Sequence, residues 1–127
     1  METAEEACRG AHVIVTATTA KDPVIAADWV EPGTFIAAMG SNIANRRELP
    51  PELVKNSGLI AIDDMEQARI EAGDLLLAYG GTEHWHNVQE LQDVTPGYDP
   101  GRITIFESLG IAVEDCAAAA YVYEAMS

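Results

Sequence analysis

Four short apolar runs, separated by polar or helix-forming segments, constrain the fold of this chain more than any other feature. The runs are residues 11–16, 34–38, 59–63 and 103–106. Each is short and bounded by turn-forming residues, which is typical of a strand buried in a sheet. Because helices are predicted between several of them, we expect a parallel sheet that is buried on both faces.

The predicted helices are marked by composition and by start signals. They comprise residues 2–9, 51–56, 65–77 and 111–126, with a further short helix possible at 85–92. Pro51 lies in a first turn, where proline is favoured, and Asp64 precedes a helix with Gln67 three residues later. The last helix is rich in alanine and carries Val113, Cys116, Ala120 and Tyr121 near one face. We therefore predict an α/β fold over the whole chain.

Composition narrows the class of protein. The 127 residues include 48% hydrophobic and 22% charged residues, which is typical of a globular domain. The net charge of −14 disfavours binding to nucleic acid or to anionic membranes, and no apolar run approaches the length of a membrane span. The acidic start does not resemble a signal peptide, so we expect a cytoplasmic protein. Cys8 and Cys116 are interpreted as small buried residues.

Three segments follow predicted strands and so fall where parallel sheets bind ligands. They are residues 16–18, 39–42 and 63–64. The first two are small and polar, and they would let a flat ring or a ribose approach the backbone. Such residues are also common at strand ends without any ligand, and the spacing alone does not decide between the two readings.

The segment from Asn42 to Arg47 is the sharpest local cluster, with an amide four residues before the first of two guanidinium groups. One arginine could hold an acidic substrate, since Arg binds carboxylates through a planar fork. In the alternative interpretation, Arg46, Arg47 and Glu48 form a solvated ion-pair cluster on the surface.

No metal site is predicted. His84 and His86 have no acidic or thiol ligand at suitable spacing, so we interpret them as part of a surface loop anchored by Trp85. Asp63 and Asp64 are explained by use at a strand end and a helix cap. The glycine fingerprint Gly-x-Gly-x-x-Gly of dinucleotide-binding folds does not occur in the sequence.

Several segments, in order along the chain, resemble the ornithine cyclodeaminase/mu-crystallin family. They are residues 13–24, 29–33, 40–49, 62–68, 71–75 and 104–115, and the last is the most distinctive. The resemblance implies the second half of a Rossmann-type NAD(P)-binding domain. Residues 1–127 would then be one incomplete domain, with the helix at 111–127 returning to a dimerisation domain built largely from residues that precede this half.

The resemblance also implies roles for individual residues. Thr16, Ala17 and Thr18 match a segment that lines the nicotinamide side of the cofactor, and Met39 and Ser41 match positions beside the ring. A further position that packs on the ring is matched by Leu109 with Gly110. Substrate positions are matched by Asn42, where cyclodeaminases carry a catalytic Asp, and by Arg46, where they carry a Lys.

Asn42 departs from the family pattern, because an amide cannot titrate as a carboxylate does. The resemblance therefore favours an NAD- or NADP-dependent oxidoreductase acting on an amino acid or imine, such as a ketimine reductase or an amino-acid or opine-type dehydrogenase. We expect this chain to be inactive alone and to form a homodimer or larger assembly. The alternatives are an ornithine cyclodeaminase, which converts ornithine to proline and ammonia, and a non-catalytic module that binds nicotinamide or self-associates.

Overall fold

The computed structural model describes residues 3–126, which form a five-stranded sheet with flanking helices. The strands are β1 (Val13–Thr16), β2 (Phe35–Ala38), β3 (Leu59–Ile62), β4 (Val88–Glu90) and β5 (Thr104–Glu107). The helices are α1 (Ala4–Cys8), α2 (Pro51–Asn56), α3 (Met65–Glu71), α4 (Gly73–Tyr79) and α5 (Ala112–Ala125), with short 3₁₀ turns at Ala27–Trp29 and Leu91–Asp93. The predicted helix residue Glu2 and the terminal Ser127 lie outside the described residues.

All neighbouring strands are parallel, in the order β1-β2-β5-β3-β4. The last strand in sequence therefore lies at the centre, where Ile105 is opposite Ile36 of β2 and Ile60 of β3. This confirms the predicted α/β class, a Rossmann-type parallel sheet followed by a C-terminal helix. It also places β1 and β4 at the two edges.

Alternate residues of the strands point into one core. Ile36, Ile60 and Ile105 are completely buried, and they belong to the same apolar cluster as Leu53 of α2 and Leu75 of α4. Because α2 to α4 contribute their apolar side chains to this one cluster, they help to cover the face of the sheet that carries Ile36, Ile60 and Ile105.

The opposite face is open at β1 and β2, so the expectation of a sheet buried on both faces is wrong there. Val13 and Val15 are each 61% exposed and Phe35 is 38% exposed. The physical reason is the two-residue repeat of a strand, which turns these side chains away from the core that Ile14 and Ile36 enter. We call the surface formed by Val13, Val15 and Phe35 the open face.

The segment predicted as one helix over 65–77 is two helices with a break at Ala72. Asp64 caps α3 as predicted, accepting a hydrogen bond from the amide of Gln67 at 2.7 Å. Gly73 then starts α4 against another loop, since a Cβ there would overlap the carbonyl oxygen of Arg46. The helical conformation is interrupted at Ala72, directly before this close approach.

The short helix proposed at 85–92 is also wrong. Residues Val88–Glu90 form edge strand β4 and pair with β3, with Val88 opposite Ile60. The buried side chain of Val88 joins the core, and this tertiary contact outweighs the local helical pattern.

Helix α5 is exposed along its whole length. Cys116 lies on it, so the interpretation of this cysteine as buried is wrong, whereas Cys8 is buried as expected. The predicted face of α5 contacts no core, because the helix leaves the sheet after β5 instead of packing across it. Within residues 3–126, none of the helices combines the length and the apolar character that a membrane span requires.

Candidate functional site

The residues that follow β1, β2 and β5 meet at the carboxyl-terminal ends of these strands. The amide of Met39 donates to the carbonyl oxygen of Thr16 at 2.8 Å, and the amide of Ser108 donates to that of Ala38 at 2.9 Å. Parallel pairing thus continues just beyond the strands, and it brings the loops after three strands side by side. We call this surface the strand-end site.

The residues predicted to contact a cofactor lie at the strand-end site, but they differ in exposure. Ala17, Thr18 and Gly110 are exposed, and Met39 is 52% exposed. Thr16, Ser41 and Leu109 are buried. The exposed members form the surface available to a ligand, whereas the buried members support it from below.

The two predicted substrate residues lie in the loop after β2. Asn42 is exposed and directly follows the buried Ser41. Arg46 is half-buried, and its Nη1 donates to the carbonyl oxygen of Thr19 at 3.2 Å. Its backbone carbonyl accepts from the hydroxyl of Ser41 at 2.9 Å. Arg46 therefore spans the loops after β1 and β2.

Glu48 is a functional candidate that the sequence did not reveal. It is completely buried, so the alternative that placed it in a solvated surface ion-pair cluster is wrong. One carboxylate oxygen accepts from the amide of Thr18 at 2.5 Å, and the other accepts from the amide of Gly40 at 2.9 Å. A single side chain thereby joins the loop after β1 to the loop after β2.

Asp74, at the start of α4, accepts hydrogen bonds from the backbone at Glu48. Its Oδ1 accepts from the amides of Glu48 and Leu49 at 2.9 and 2.7 Å, and its own amide donates to the hydroxyl of Ser41 at 3.2 Å. Burial raises the pKa of Asp74 to about 6, against the opposing effect of these hydrogen bonds. The apolar neighbours Ala72 and Leu75 are the only sequence signal that this carboxyl is buried.

Asp63 links two further loops by hydrogen bonds, on the other side of β5. Its Oδ2 accepts from the hydroxyl of Ser108 at 3.1 Å and from the amides of Leu109 and Gly110 at 2.8 and 3.0 Å. The loop after β3 is therefore fastened to the loop after β5. This strand-end use, and the cap at Asp64, were both predicted.

Glu107 ends β5 beneath these loops and is buried, with no hydrogen-bond partner for either carboxylate oxygen among the described residues. Burial raises the pKa of Glu107 well above its ordinary value, and the nearby charges of Asp74, Glu48 and Asp63 raise it further. Both effects favour the neutral, protonated form of Glu107. Across residues 3–126, no three His, Cys, Asp or Glu side chains are placed to hold a metal ion.

The His84–His86 segment lies away from the strand-end site. Both histidines are exposed, while Trp85 is half-buried and packs against the core. The ring of His86 lies 6.5 Å from that of Tyr79 in an edge-on arrangement. These contacts agree with a surface loop anchored by Trp85.

A groove of about 330 Å³ runs along edge strand β1 to the strand-end site. Its lining includes Ala4 and Cys8 of α1, the open-face residues Val13 and Val15, and the segment from Thr16 to Thr18. The lining is mainly apolar, so the groove continues the open face and meets the strand-end site only at Thr16–Thr18.

Comparison with known proteins gives these features a context. The model of the ornithine cyclodeaminase/mu-crystallin family matches residues 1–127. The chain belongs to this family. The match covers every segment on which the resemblance was based.

Two curated relatives illustrate the range of the family. The chain is 40% identical over 126 residues to the ketimine reductase mu-crystallin of Macropus fuliginosus, covering 97% of this chain and 38% of that protein. It is 38% identical over 133 residues to the alanine dehydrogenase of Archaeoglobus fulgidus, covering 98% of this chain and 40% of that protein. The chain therefore spans about two fifths of the length of these relatives.

Solved structures of family members share the fold. The Δ1-pyrroline-2-carboxylate reductase of Thermococcus litoralis, in complex with NADH and L-proline, superimposes with a TM-score of 0.84 at 32% identity, over 98% of this chain and 40% of that chain. An archaeal alanine dehydrogenase dimer with bound NAD gives a TM-score of 0.82 at 35% identity, over 97% of this chain and 40% of that chain.

Proposed function

We propose that this chain is part of an NAD(P)-dependent oxidoreductase that acts on an amino acid or an imine, as ketimine reductases and amino-acid or opine-type dehydrogenases do. The observation that carries the proposal is the strand-end site, where the loops after β1, β2 and β5 meet at the carboxyl-terminal ends of the strands. Family relatives whose structures hold NADH or NAD support the cofactor class.

The residues at the strand-end site fit one end of such a cofactor. We assign the nicotinamide end to Thr16, Ala17, Thr18, Met39 and Ser41, with Leu109 and Gly110. The loops carrying them approach closely, since a Cβ at Gly40 would overlap the backbone of Thr18 and the Glu48 carboxyl group. When bound, a nicotinamide supplies hydride transfer to or from the substrate carbon. The chain's own residues orient the ring against it.

Asn42 and Arg46 are assigned to the substrate. The remaining guanidinium N–H groups of Arg46 suit a carboxylate. Asn42 donates and accepts hydrogen bonds but does not exchange a proton at neutral pH. This favours orientation of an amino acid or imine over the proton transfer that ornithine cyclisation to proline and ammonia would need, and the cyclodeaminase alternative ranks second.

The remaining parts of the proposal concern the whole enzyme. Residues 1–127 would be one incomplete NAD(P)-binding domain, and the segment 111–127 would reach a dimerisation domain in a cytoplasmic homodimer or larger assembly. Because the sequence has no glycine fingerprint for the pyrophosphate, we expect the chain alone to bind cofactor weakly and to turn over no amino acid.

A chimera tests the oxidoreductase proposal. The matching two fifths of the Archaeoglobus fulgidus alanine dehydrogenase would be replaced by this chain. NADH formation would be measured with a panel of amino acids, and NADH oxidation with a panel of imines. We expect turnover that Asn42→Ala lowers about tenfold or more. The substitution Lys55→Ala, on the exposed side of α2, is the matched control and leaves the rate unchanged. A chimera that folds and binds NAD without turning over any amino acid or imine contradicts the proposal.

The open face and the exposed α5 favour one other function, that of a non-catalytic module that binds nicotinamide or self-associates. Edge strands and uncovered apolar faces promote pairing with another chain. Thermal stabilisation by NADH without turnover supports the binding form of this alternative. A clean monomer in sedimentation velocity excludes the self-associating form.

A further inference from the structure

The strand-end site is built from loops whose outer residues are exposed. Ala17, Thr18 and Thr19 are exposed, and so are Met39 and Asn42. Exposed loops of this kind normally sample many conformations. A flat ring bound between two such loops needs their separation to be fixed before it arrives, since loops that must order on binding weaken affinity.

One buried side chain supplies this fixed separation. Both carboxylate oxygens of Glu48 are used, one by the amide of Thr18 and the other by the amide of Gly40. Hydrogen bonds to an ionised acceptor are about twice as strong as neutral ones. The side chain sits in the closest gap between the loops, because its carboxyl group would overlap a Cβ at Gly40.

The backbone at Glu48 is itself held by hydrogen bonds. Its amide and that of Leu49 donate to Asp74, and its carbonyl oxygen accepts from the amide of Val24 at 2.8 Å. The side chain is completely buried. Glu48 therefore has little freedom to follow a moving loop, and the loops must take the positions that it sets.

We propose that Glu48 is a positioning residue that holds the loops after β1 and β2 at a fixed separation and thereby shapes the surface on which a nicotinamide ring lies. The ligand part of this inference rests on the proposed function. The loop-holding part rests only on the hydrogen bonds of the described residues, and the two parts have separate measurements.

Amide hydrogen exchange by NMR tests the loop-holding part. In the wild-type chain, the Thr18 and Gly40 amides should exchange as slowly as those of β2, although their loops are exposed. In Glu48→Gln, which keeps the size but loses one acceptor and the charge, both should exchange about tenfold faster or more. Fast exchange of these amides in the wild type, or a variant that accelerates all sheet amides equally, overturns the proposal.

The matched control is Glu90→Gln. Glu90 also uses both carboxylate oxygens, accepting from the Met65 amide at 2.9 Å and from the Gln92 side chain at 2.8 Å, but it lies on β4. This variant should accelerate exchange of the Met65 amide and leave those of Thr18 and Gly40 unchanged.

Titration with reduced nicotinamide mononucleotide, followed by saturation transfer to its ring protons, tests the ligand part. We expect Glu48→Gln to weaken binding about tenfold, whereas Glu90→Gln leaves it unchanged. If the wild type binds and Glu48→Gln binds equally well, the ligand part is overturned and the proposed function stands. If the wild type does not bind at millimolar probe, the ligand part is overturned. The proposed function of the whole enzyme is then decided by the chimera, and the loop-holding part by the exchange data.

Discussion

At the residue scale, buried carboxyl groups make the stability of this chain depend on pH. The pKa of Asp74 is raised from 3.8 to about 6 on folding, so the folded state binds its proton more tightly than the unfolded state. The contribution of this carboxyl group to the free energy of unfolding is therefore present at low pH, and it is lost as pH rises from about 4 to about 6. A shift of this size corresponds to about 3 kcal/mol.

Asp74→Asn should remove this dependence. The amide oxygen can still accept from the amides of Glu48 and Leu49, while the group carries no charge. Urea unfolding at pH 4.5 and pH 7 should show a smaller loss of unfolding free energy in the variant than in the wild type. Equal pH dependence in the two proteins would show that Asp74 is ionised at little cost in the fold.

Glu107, like Asp74, should make the fold less stable as pH rises. Its pKa is raised by burial and by the charges of Asp74, Glu48 and Asp63, and its oxygens lack partners among the described residues. Glu107→Met keeps the volume and removes the carboxyl group. We expect it to raise the unfolding free energy at pH 8 by about 2 kcal/mol, with a smaller gain at pH 5. A variant less stable than the wild type at pH 8 contradicts this account.

Gly73 tests the packing of the loop after β2. An added Cβ would overlap the carbonyl oxygens of Arg46 and Ile43, both of which belong to that loop. Gly73→Ala should lower the unfolding free energy by about 3 kcal/mol. Gly97→Ala is the control, since nothing lies within 4 Å of its added Cβ, and it should cost little. Similar losses for both variants would mean that the loop yields to the new atom.

The candidate site could be located from the sequence more readily than its supports. The ends of the apolar runs placed Thr16, Met39 and Ser41 at strand ends. Because the carboxyl ends of parallel strands lie on the same side of a sheet, these residues were expected to lie close together. Glu48 follows two arginines, and local charge pairing favoured a surface position. Its carboxylate accepts from the amides of Thr18, 30 residues away, and Gly40, eight residues away, and neither spacing forms a recognisable sequence pattern.

At the scale of elements, helix α5 is the least supported part of the fold. Isolated helices of this length are marginal in water, and every described residue of α5 is exposed. Ending the chain at Ile111 should change the unfolding free energy of the sheet by less than about 0.5 kcal/mol, while helical circular dichroism decreases. As a comparison, Val54→Ala in the buried face of α2 should cost about 2 kcal/mol. A large loss on removing α5 would show that it docks on the sheet in solution.

The type of most helices and strands could be predicted from the periodicity of apolar residues. The two exceptions are caused by contacts between distant parts of the chain. Strands β1, β2, β3 and β5 were predicted within a residue or two of their bounds. The break between α3 and α4 comes from the contact of Gly73 with another loop. Strand β4 is set by pairing with β3. Neither cause lies within the local window that a sequence pattern describes.

At the scale of the whole molecule, the open face and the net charge act against each other. The exposed side chains of Val13, Val15 and Phe35 favour association, whereas the charge of −14 opposes it. We expect sedimentation velocity to show association that increases with salt, because salt screens the charge. Val15→Lys should weaken it, and Ile70→Lys, at a 74% exposed position on α3, should leave it unchanged. Equal effects of the two variants would place the contact elsewhere.

The two cysteines give α5 a built-in reporter. Burial raises the pKa of the Cys8 thiol, which makes it slow to react, whereas Cys116 stands on the exposed helix. A thiol reagent should therefore modify one position first, without any engineered label. Whatever comes to cover α5, the protection of that single sulfur would record it as a slower colour change in an ordinary thiol assay.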